Sequence, residues 1–536
     1  MGATDTPITC TQTNSRIAKT VTLRKSWVNA KLGDAVDVTA TGLTSLSSVA
    51  NTTTEIDAGS AQTVYAGDVI TLGETFTTGS DANYSSSVAC TGTTGLSGNT
   101  LTVGATDTPI TCTQTNSRIA KTVTLQKTWV NAKVNDAVNV TATGLTSLAS
   151  TANTAGETDA GSAQTVYAGD VITLGETFTT GSSANYNSSV ACTGSTGLSG
   201  NTLTVGVTDT PITCTQTNSR IAKTVTLRKS WVNAKLSDAV DVTATGLTTL
   251  SSVAGTATEI DAGSAQTVYA GDVITLGETF TTGSAANYNS SVACTGTTGL
   301  SGNILTVGAT DTPITCTQTN SRIAKTVTLQ KTWVNAKVND EVSVMATGLT
   351  SLASVANTAG ETDAGSAQTV YAGDVITLGE TFTTGSAANY NSSVACTGTT
   401  GLSGNTLTVG ATDTPITCTQ TNSRIAKTVT LRKSWVNAKL SDAVDVTATG
   451  LTTLSSVANT ATEIDAGSAQ TVYAGDVITL GETFTTGSAV NYSSSVACTG
   501  TTGLSGSVLT VGATDTPITC TQTNSRIAKT VTLRKS

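Results

Sequence analysis

The chain is 536 residues long, with a formal net charge of −9 at pH 7, 11 cysteines, no histidine and only 12% charged residues. Without histidine a Ser-His-Asp triad is excluded, and the weak negative charge argues against nucleic acid, whose recognition needs basic patches. No apolar run approaches the roughly 20 residues a membrane helix needs, and no secretory leader is visible after Met1.

Length alone suggests three or four domains, but an internal repeat overrides it. Trp27, Trp129, Trp231, Trp333 and Trp435 recur every 102 residues, and a unit of that size fits one small globular domain better than a solenoid turn. The expected boundaries are 17–118, 119–220, 221–322, 323–424 and 425–526 for five full repeats. Residues 1–16 read as the final strand of a truncated preceding repeat, and 527–536 as the first strand of a truncated following one. Residues 2–26 are identical to 512–536, so the chain reads as a window on a longer array.

Within the first repeat, in chain order, strands are expected over 19–28, 35–43, 52–57, 61–66, 68–77, 83–91, 100–103 and 108–116. In the first of these, Val21, Leu23, Lys25 and Trp27 share one face, and Thr20, Thr22, Arg24 and Ser26 the other. A lysine therefore sits in the apolar row. Arg24, Arg228 and Arg432 alternate with Gln126 and Gln330, swaps that fall on the outer face. Ala66-Gly67-Asp68 reads as a tight turn between two β-rich runs, and Ile70, Leu72, Glu74 and Phe76 share a face in the next strand. The Gly92–Gly98 stretch reads as a hairpin connection between the strands that carry Cys90 and Cys112. In the last strand, Ile110, Cys112, Gln114 and Asn116 point inward, while Thr111, Thr113 and Thr115 form a solvent-facing row. Consecutive repeats are bridged by segments such as Ser15-Arg16-Ile17-Ala18, without the Gly or Pro of a flexible linker. The expected fold class is all-β, a linear array of five Ig-like β-sandwich domains forming an extended rod.

Cysteine separations alternate between 80 and 22 residues. Cys90/Cys112, Cys192/Cys214, Cys294/Cys316, Cys396/Cys418 and Cys498/Cys520 are complete pairs, while the partner of Cys10 would precede residue 1. Regular pairing favours disulfides and an oxidising, extracellular setting. Zinc competes, but without histidine or Cys-x-x-Cys each repeat offers only two ligands. Cores with one Trp, one Phe and two Tyr per repeat are small enough to need covalent help.

Lys25, Glu74 and Asn116 lie on the inward faces of three different strands, and burying a lone charge is costly. Leu23-x-Lys25, then Thr71-Leu72-Gly73-Glu74-Thr75 followed by Asn83-Tyr84, then a last strand ending Thr113-x-Thr115-Asn116, together resemble the collagen-adhesin B-type domain. This is the prealbumin-like, SpaA-like repeat of bacterial surface adhesins and pilin-like fibres, and the resemblance covers each repeat end to end. The family's Pro-x-Gly-Tyr after the glutamate is absent here, and the cysteine pair is one that many members lack. The resemblance implies an intramolecular isopeptide bond between Lys25 and Asn116, with Glu74 as proton shuttle. It would recur at Lys127/Glu176/Asn218, Lys229/Glu278/Asn320, Lys331/Glu380/Asn422 and Lys433/Glu482/Asn524. Burial would lower the lysine pKa towards a nucleophilic amine and keep the glutamate protonated. In the competing reading Lys25 snorkels outward past Trp27 into an ordinary ion pair with Glu74, and Asn116 merely ends a strand.

These features point to a structural stalk or fibre segment of a bacterial adhesin or filament, extracellular and at the cell surface, and not to an enzyme. Its expected partners are other copies in a fibre or array, with a surface glycan or protein ligand outside this window; the alternative is a multivalent glycan- or protein-binding module acting by avidity. No cofactor is expected. Asp34, Asp37, Asp57, Asp68 and Asp107 keep calcium open, against turn and solvated-face roles for the same residues.

Overall fold

Threonine and valine at alternating positions, broken by glycine and asparagine, commit each repeat to strands. In the computed structural model, which describes Thr6 and residues 9–534, the only helices among those residues are short 3-10 turns such as Asp81–Asn83. The first repeat contains β1 (Ala18–Val28), β2 (Ala35–Ala40), β3 (Leu46–Val49), β4 (Thr54–Ala58), β5 (Gln62–Tyr65), β6 (Val69–Thr78), β7 (Tyr84–Thr91), β8 (Leu96–Ser97), β9 (Thr100–Thr102) and β10 (Ile110–Arg118). One sheet has the order β4-β1-β10-β7, with β5 also pairing β1; the other has the order β3-β2-β6-β9-β8. The same two sheets recur in all five repeats, as expected of tandem all-β sandwiches. No helix among the described residues is long and apolar enough to cross a membrane.

The first and last strands of the repeat are parallel neighbours at the centre of their sheet, in register from Val21 opposite Ile110 to Val28 opposite Ser117. The remaining pairings are antiparallel. Alternation then buries Val21, Leu23, Lys25 and Trp27 against Val36, Val38, Ile70, Leu72 and Leu101 of the facing sheet. Trp27 meets Phe76 and Tyr84 edge-on at 6.1 and 5.6 Å, and its indole N–H donates to Ser48 Oγ at 2.9 Å.

Several expected elements are corrected. β3 and β8 are strands the sequence reading lacked. β2 ends at Ala40 rather than residue 43, because the chain turns through Gly42 at a φ of 75°. Gly92–Gly98 is not a hairpin connection: the chain crosses to the other sheet, where β9 pairs with β6 and β8, and returns as β10. Ala66–Asp68 turns a corner from β5 in one sheet to β6 in the other. Residues 9–17 and 527–534 form no strand, and residues 1–5, 7–8 and 535–536 lie outside the described residues.

The chain divides into two compact units; the first and second repeats belong to one, the fourth and fifth to the other, and the third contributes segments to both. Within each unit, consecutive repeats meet through one recurring joint. A single residue, Ile119, separates β10 from the next repeat's first strand, Ala120–Val130. Its N–H donates to the Asn83 carbonyl at 3.0 Å, and its own carbonyl accepts from Ala168 N at 2.9 Å. Arg118, buried at the end of β10, donates from Nε to the Ala168 carbonyl at 2.9 Å and lies 2.8 Å from Asp170 Oδ1. Gly169 (φ 80°) permits this approach, since a Cβ there would sit 2.5 Å from Asn83 Nδ2. Arg220/Asp272, Arg322/Asp374 and Arg424/Asp476 repeat the ion pair at 2.8 Å.

Candidate functional site

β1 and β10 bring Lys25 and Asn116 to the same inward face of one sheet, and β6 presents Glu74 from the other. Lys25 and Asn116 are both 0% exposed. Lys25 Nζ lies 2.6 Å from Glu74 Oε2. Lys127/Glu176, Lys229/Glu278, Lys331/Glu380 and Lys433/Glu482 repeat that contact at 2.7 Å. Asn218, Asn320, Asn422 and Asn524 donate from Nδ2 to Oε2 of Glu176, Glu278, Glu380 and Glu482 in turn, at 3.1–3.2 Å. Lysine and asparagine thus converge on one carboxylate oxygen.

The lysine does not snorkel. Its Nζ sits 4.7 Å from the Trp27 ring centroid, inside the core, and Asn116 lies within β10 rather than at its end. The ion pair of the competing reading does exist. Burial pushes the Lys25 pKa below the ordinary lysine value, against the smaller opposing effect of the Glu74 hydrogen bond and charge. Oδ1 of Asn218, Asn320, Asn422 and Asn524 is buried without a hydrogen-bond partner, as are both amide atoms of Asn116. An unpaired carbonyl in a core costs about 1–3 kcal/mol, so each repeat holds a destabilised amide beside a buried amine.

Two residues of this cluster escaped the sequence reading as partners. Ser86 Oγ donates to Glu74 Oε1 at 2.8 Å, and Gln114 Nε2 donates to Ser86 Oγ at 2.6 Å. Gln114 was recognisably inward-facing. Ser86 stands in the run Ser85-Ser86-Ser87, whose only signal is that position 85 alternates with asparagine in other repeats while 86 does not.

The same serine sets the depth of the glutamates. Glu74, Glu176, Glu278, Glu380 and Glu482 face inward but keep 9–11% of their side chains exposed, against 0% for every lysine partner. The cause is Oε1, which reaches out from the core to the exposed hydroxyls of Ser86, Ser188, Ser290, Ser392 and Ser494 at 2.7–2.8 Å. Each glutamate therefore straddles the boundary of the core, with Oε2 inside and Oε1 at the rim. All five contacts, at 2.6–2.7 Å, are short enough for a proton to pass directly between the amine and the carboxyl.

The disulfides Cys90–Cys112, Cys192–Cys214, Cys396–Cys418 and Cys498–Cys520 join β7 to β10 or their equivalents, and Cys294 and Cys316 are disulfide-bonded as well. Cys10 is free and exposed. The aspartates that kept calcium open are otherwise engaged: Asp37 accepts from Ser47, Asp57 from Ser48, Asp107 from Gly104 N, and Asp68 from Arg16 and Tyr65 N. Among the described residues no group of three or more acidic, Cys or His side chains could hold a metal.

Asp34 accepts the Tyr84 hydroxyl at 2.6 Å, and that hydroxyl accepts from Lys31 N at 3.0 Å. Burial, and then the Asp34 hydrogen bond, push the Tyr84 pKa up to about 12 from 10.0, as for Tyr186, Tyr288 and Tyr390. A raised folded-state pKa gives stability that is complete below pH 10 and lost as pH climbs towards 12. Ultraviolet titration is expected to reveal one late-ionising phenol in each of these repeats, and Tyr84→Phe should remove the first repeat's share. An ionisation midpoint near the ordinary 10.0 for every phenol would contradict the assignment.

No family model matches the chain, and no curated protein does. Among solved structures it is similar to two B repeat units of the collagen-binding protein of Staphylococcus aureus, at 13% identity and a TM-score of 0.15, covering 76% of this chain and 100% of that one. The pilus adhesin SpaC from Lactobacillus rhamnosus GG matches at 13% identity and a TM-score of 0.23, over 76% of this chain and 57% of its own. A Mobiluncus mulieris adhesin containing intramolecular disulfide, isopeptide and ester cross-links matches at 13% identity and a TM-score of 0.13, over 36% and 87%. At such identities and scores none of them bears on what this chain does.

Proposed function

We propose that this chain is a load-bearing segment of a bacterial extracellular stalk or fibre, each repeat closed by its disulfide and by an isopeptide bond between Lys25 and Asn116 or their equivalents. What carries the reading is the position of that pair: on the repeat's first and last strands, which lie side by side, in parallel, at the centre of one sheet. A bond there ties together the two points at which the chain enters and leaves the fold. The joint at Arg118 and Ile119 supports the same reading, since load leaving β10 enters the next β1 after one residue. The disulfides support an oxidising, extracellular setting.

The chemistry starts from the ion pair. One proton moves from Lys25 Nζ to Glu74 Oε2 along their 2.6 Å contact, leaving a neutral amine and a carboxylic acid with no change in net charge. Nζ attacks Asn116 Cγ, and negative charge develops on Oδ1. Glu74 gives its proton to Nδ2 as the Cγ–Nδ2 bond breaks, and takes one from Nζ as the amide forms. Ammonia leaves, and Glu74 ends protonated, able to donate to the new amide's carbonyl. The reaction removes a buried charge and gives the unpaired Oδ1 a donor, so both defects of the site are relieved together. Glu176, Glu278, Glu380 and Glu482 would carry the same protons in the other four repeats.

Intact mass of the reduced chain is expected to fall short of the sequence by one ammonia for each of the five repeats. Asn→Ala at position 116 and its equivalents should remove the deficit. A reduced mass equal to the sequence would end the isopeptide reading.

A further inference from the structure

We infer that Ser86, held by Gln114, is a positioning residue for bond formation: it dictates which oxygen of Glu74 carries the proton. The inference rests on the isopeptide bond proposed above and names a part of its machinery. An ionised carboxylate can only accept, so the 2.8 Å contact obliges Ser86 Oγ to donate to Glu74 Oε1. That leaves the Ser86 lone pairs facing Gln114, whose Nε2 donates to them at 2.6 Å. The chain therefore has one direction, from Gln114 to Ser86 to Oε1. When Glu74 takes the lysine proton, Oε1 already holds a hydrogen, and the proton is confined to Oε2. That oxygen is the one shared by the amine and the amide, at 2.7 and 3.1 Å in the second repeat.

The same chain recurs in all five repeats, with serine to glutamate at 2.7–2.8 Å and glutamine to serine at 2.6–2.7 Å. Gln114 is buried and Ser86 exposed, and both border, with Glu74, a groove of about 790 Å³. Glu74 is thus oriented from the solvent side while its reacting oxygen stays inside. Without the serine hydrogen, the proton divides between two oxygens, one of which touches neither reactant.

The test uses the full chain with Ser188→Ala, so that the untouched repeats serve as internal controls. The chain is unfolded under reducing conditions during expression, refolded, quenched at intervals, and the Lys127–Asn218 peptide is followed by mass spectrometry against its counterparts. Ser188→Ala is expected to form that bond on the order of tenfold more slowly and with a displaced pH profile, and Ser188→Thr to restore both. A general loss of packing would not move the pH profile or be rescued by threonine. If the altered repeat closes as fast as the others at every pH, the assignment to Ser86 and its equivalents is overturned while the bond itself stands. If no repeat loses ammonia, both are overturned.

Discussion

Held at its two ends and pulled, the native chain should bear load without any repeat unfolding, whereas a chain with Asn→Ala at position 116 and its equivalents should lengthen in discrete steps. The geometry sets the sizes. Load enters a repeat at the start of β1 and leaves at the end of β10; because the strands are parallel, it shears them along the register from Val21 to Val28. With Lys25 bonded to Asn116, force crosses between the strands at that tie, and everything between those residues lies off the load path. Without the tie, the residues from 26 to 115 are released, about 300 Å of contour per repeat at full extension. The disulfide does not replace the tie. It joins β7 to β10 across 22 residues, so it shortens each step by about 75 Å but leaves β1 free to peel away. Its contribution is to thermal stability, roughly 3 kcal/mol for a loop of this length in the chain-entropy model. Reduction of the Asn→Ala chain should therefore lengthen each step, and reduction of the native chain should leave it inextensible. Unfolding steps of about 300 Å in the reduced native chain would remove the load-bearing role from the Lys–Asn pair.

That geometry was half legible in the sequence. Period-two alternation turns spacing into facing, so Lys25, Glu74 and Asn116 could each be placed inward from their apolar neighbours alone. The strict alternation of cysteine separations likewise gave the pairs, which the register sets directly opposite one another, Cys112 against Cys90. What alternation cannot give is which strands are neighbours. The parallel pairing of β1 with β10 joins segments at opposite ends of the repeat, and nothing local to either announces the other. Nor does facing fix depth: Glu74, Glu176, Glu278, Glu380 and Glu482 point inward, yet a serine on β7 or its equivalent holds one oxygen of each at the rim. β3 and β8, with four and two residues, are too short to display a period. The last strand was expected to stop at Asn116 but runs on to Arg118; the short bridge between repeats was legible, whereas the contacts of Arg118 with the Ala168 carbonyl and Asp170 were not. The aspartates look like ligands in sequence because acidic residues near turns bind calcium in many folds. Here neighbouring hydroxyls and backbone N–H groups satisfy them first.

The asymmetry between the partners of the ion pair gives the second large effect. Lys25 is 0% exposed at its side chain and Glu74 11%, so the lysine has the carboxylate and the Trp27 ring but no solvent, while the carboxylate also has Ser86 and the groove. Glu74→Gln and Lys25→Met, each made in every repeat, should both prevent the proposed bond, so their difference would isolate the electrostatics. Removing the glutamate strands an ammonium in the core and should cost about 3–5 kcal/mol per repeat. Removing the lysine leaves a carboxylate that can turn to solvent, at about 1–2 kcal/mol. Replacing both together with apolar residues of similar volume should cost less than Glu74→Gln alone, because no uncompensated charge remains. The pH dependence separates the two single variants. In Glu74→Gln the unfolded chain holds the lysine proton up to 10.5, while the buried lysine, its pKa lowered by desolvation, releases it earlier. The unfolded state then binds more protons across that interval, so stability must rise with pH until 10.5 is passed. Lys25→Met has no such proton to lose, and its denaturation midpoint should lack that rise. Equal midpoints for the two variants at neutral pH, or a flat profile for Glu74→Gln, would mean that the buried lysine is solvated by something other than Glu74, and the proton transfer that begins the bond would lose its acceptor.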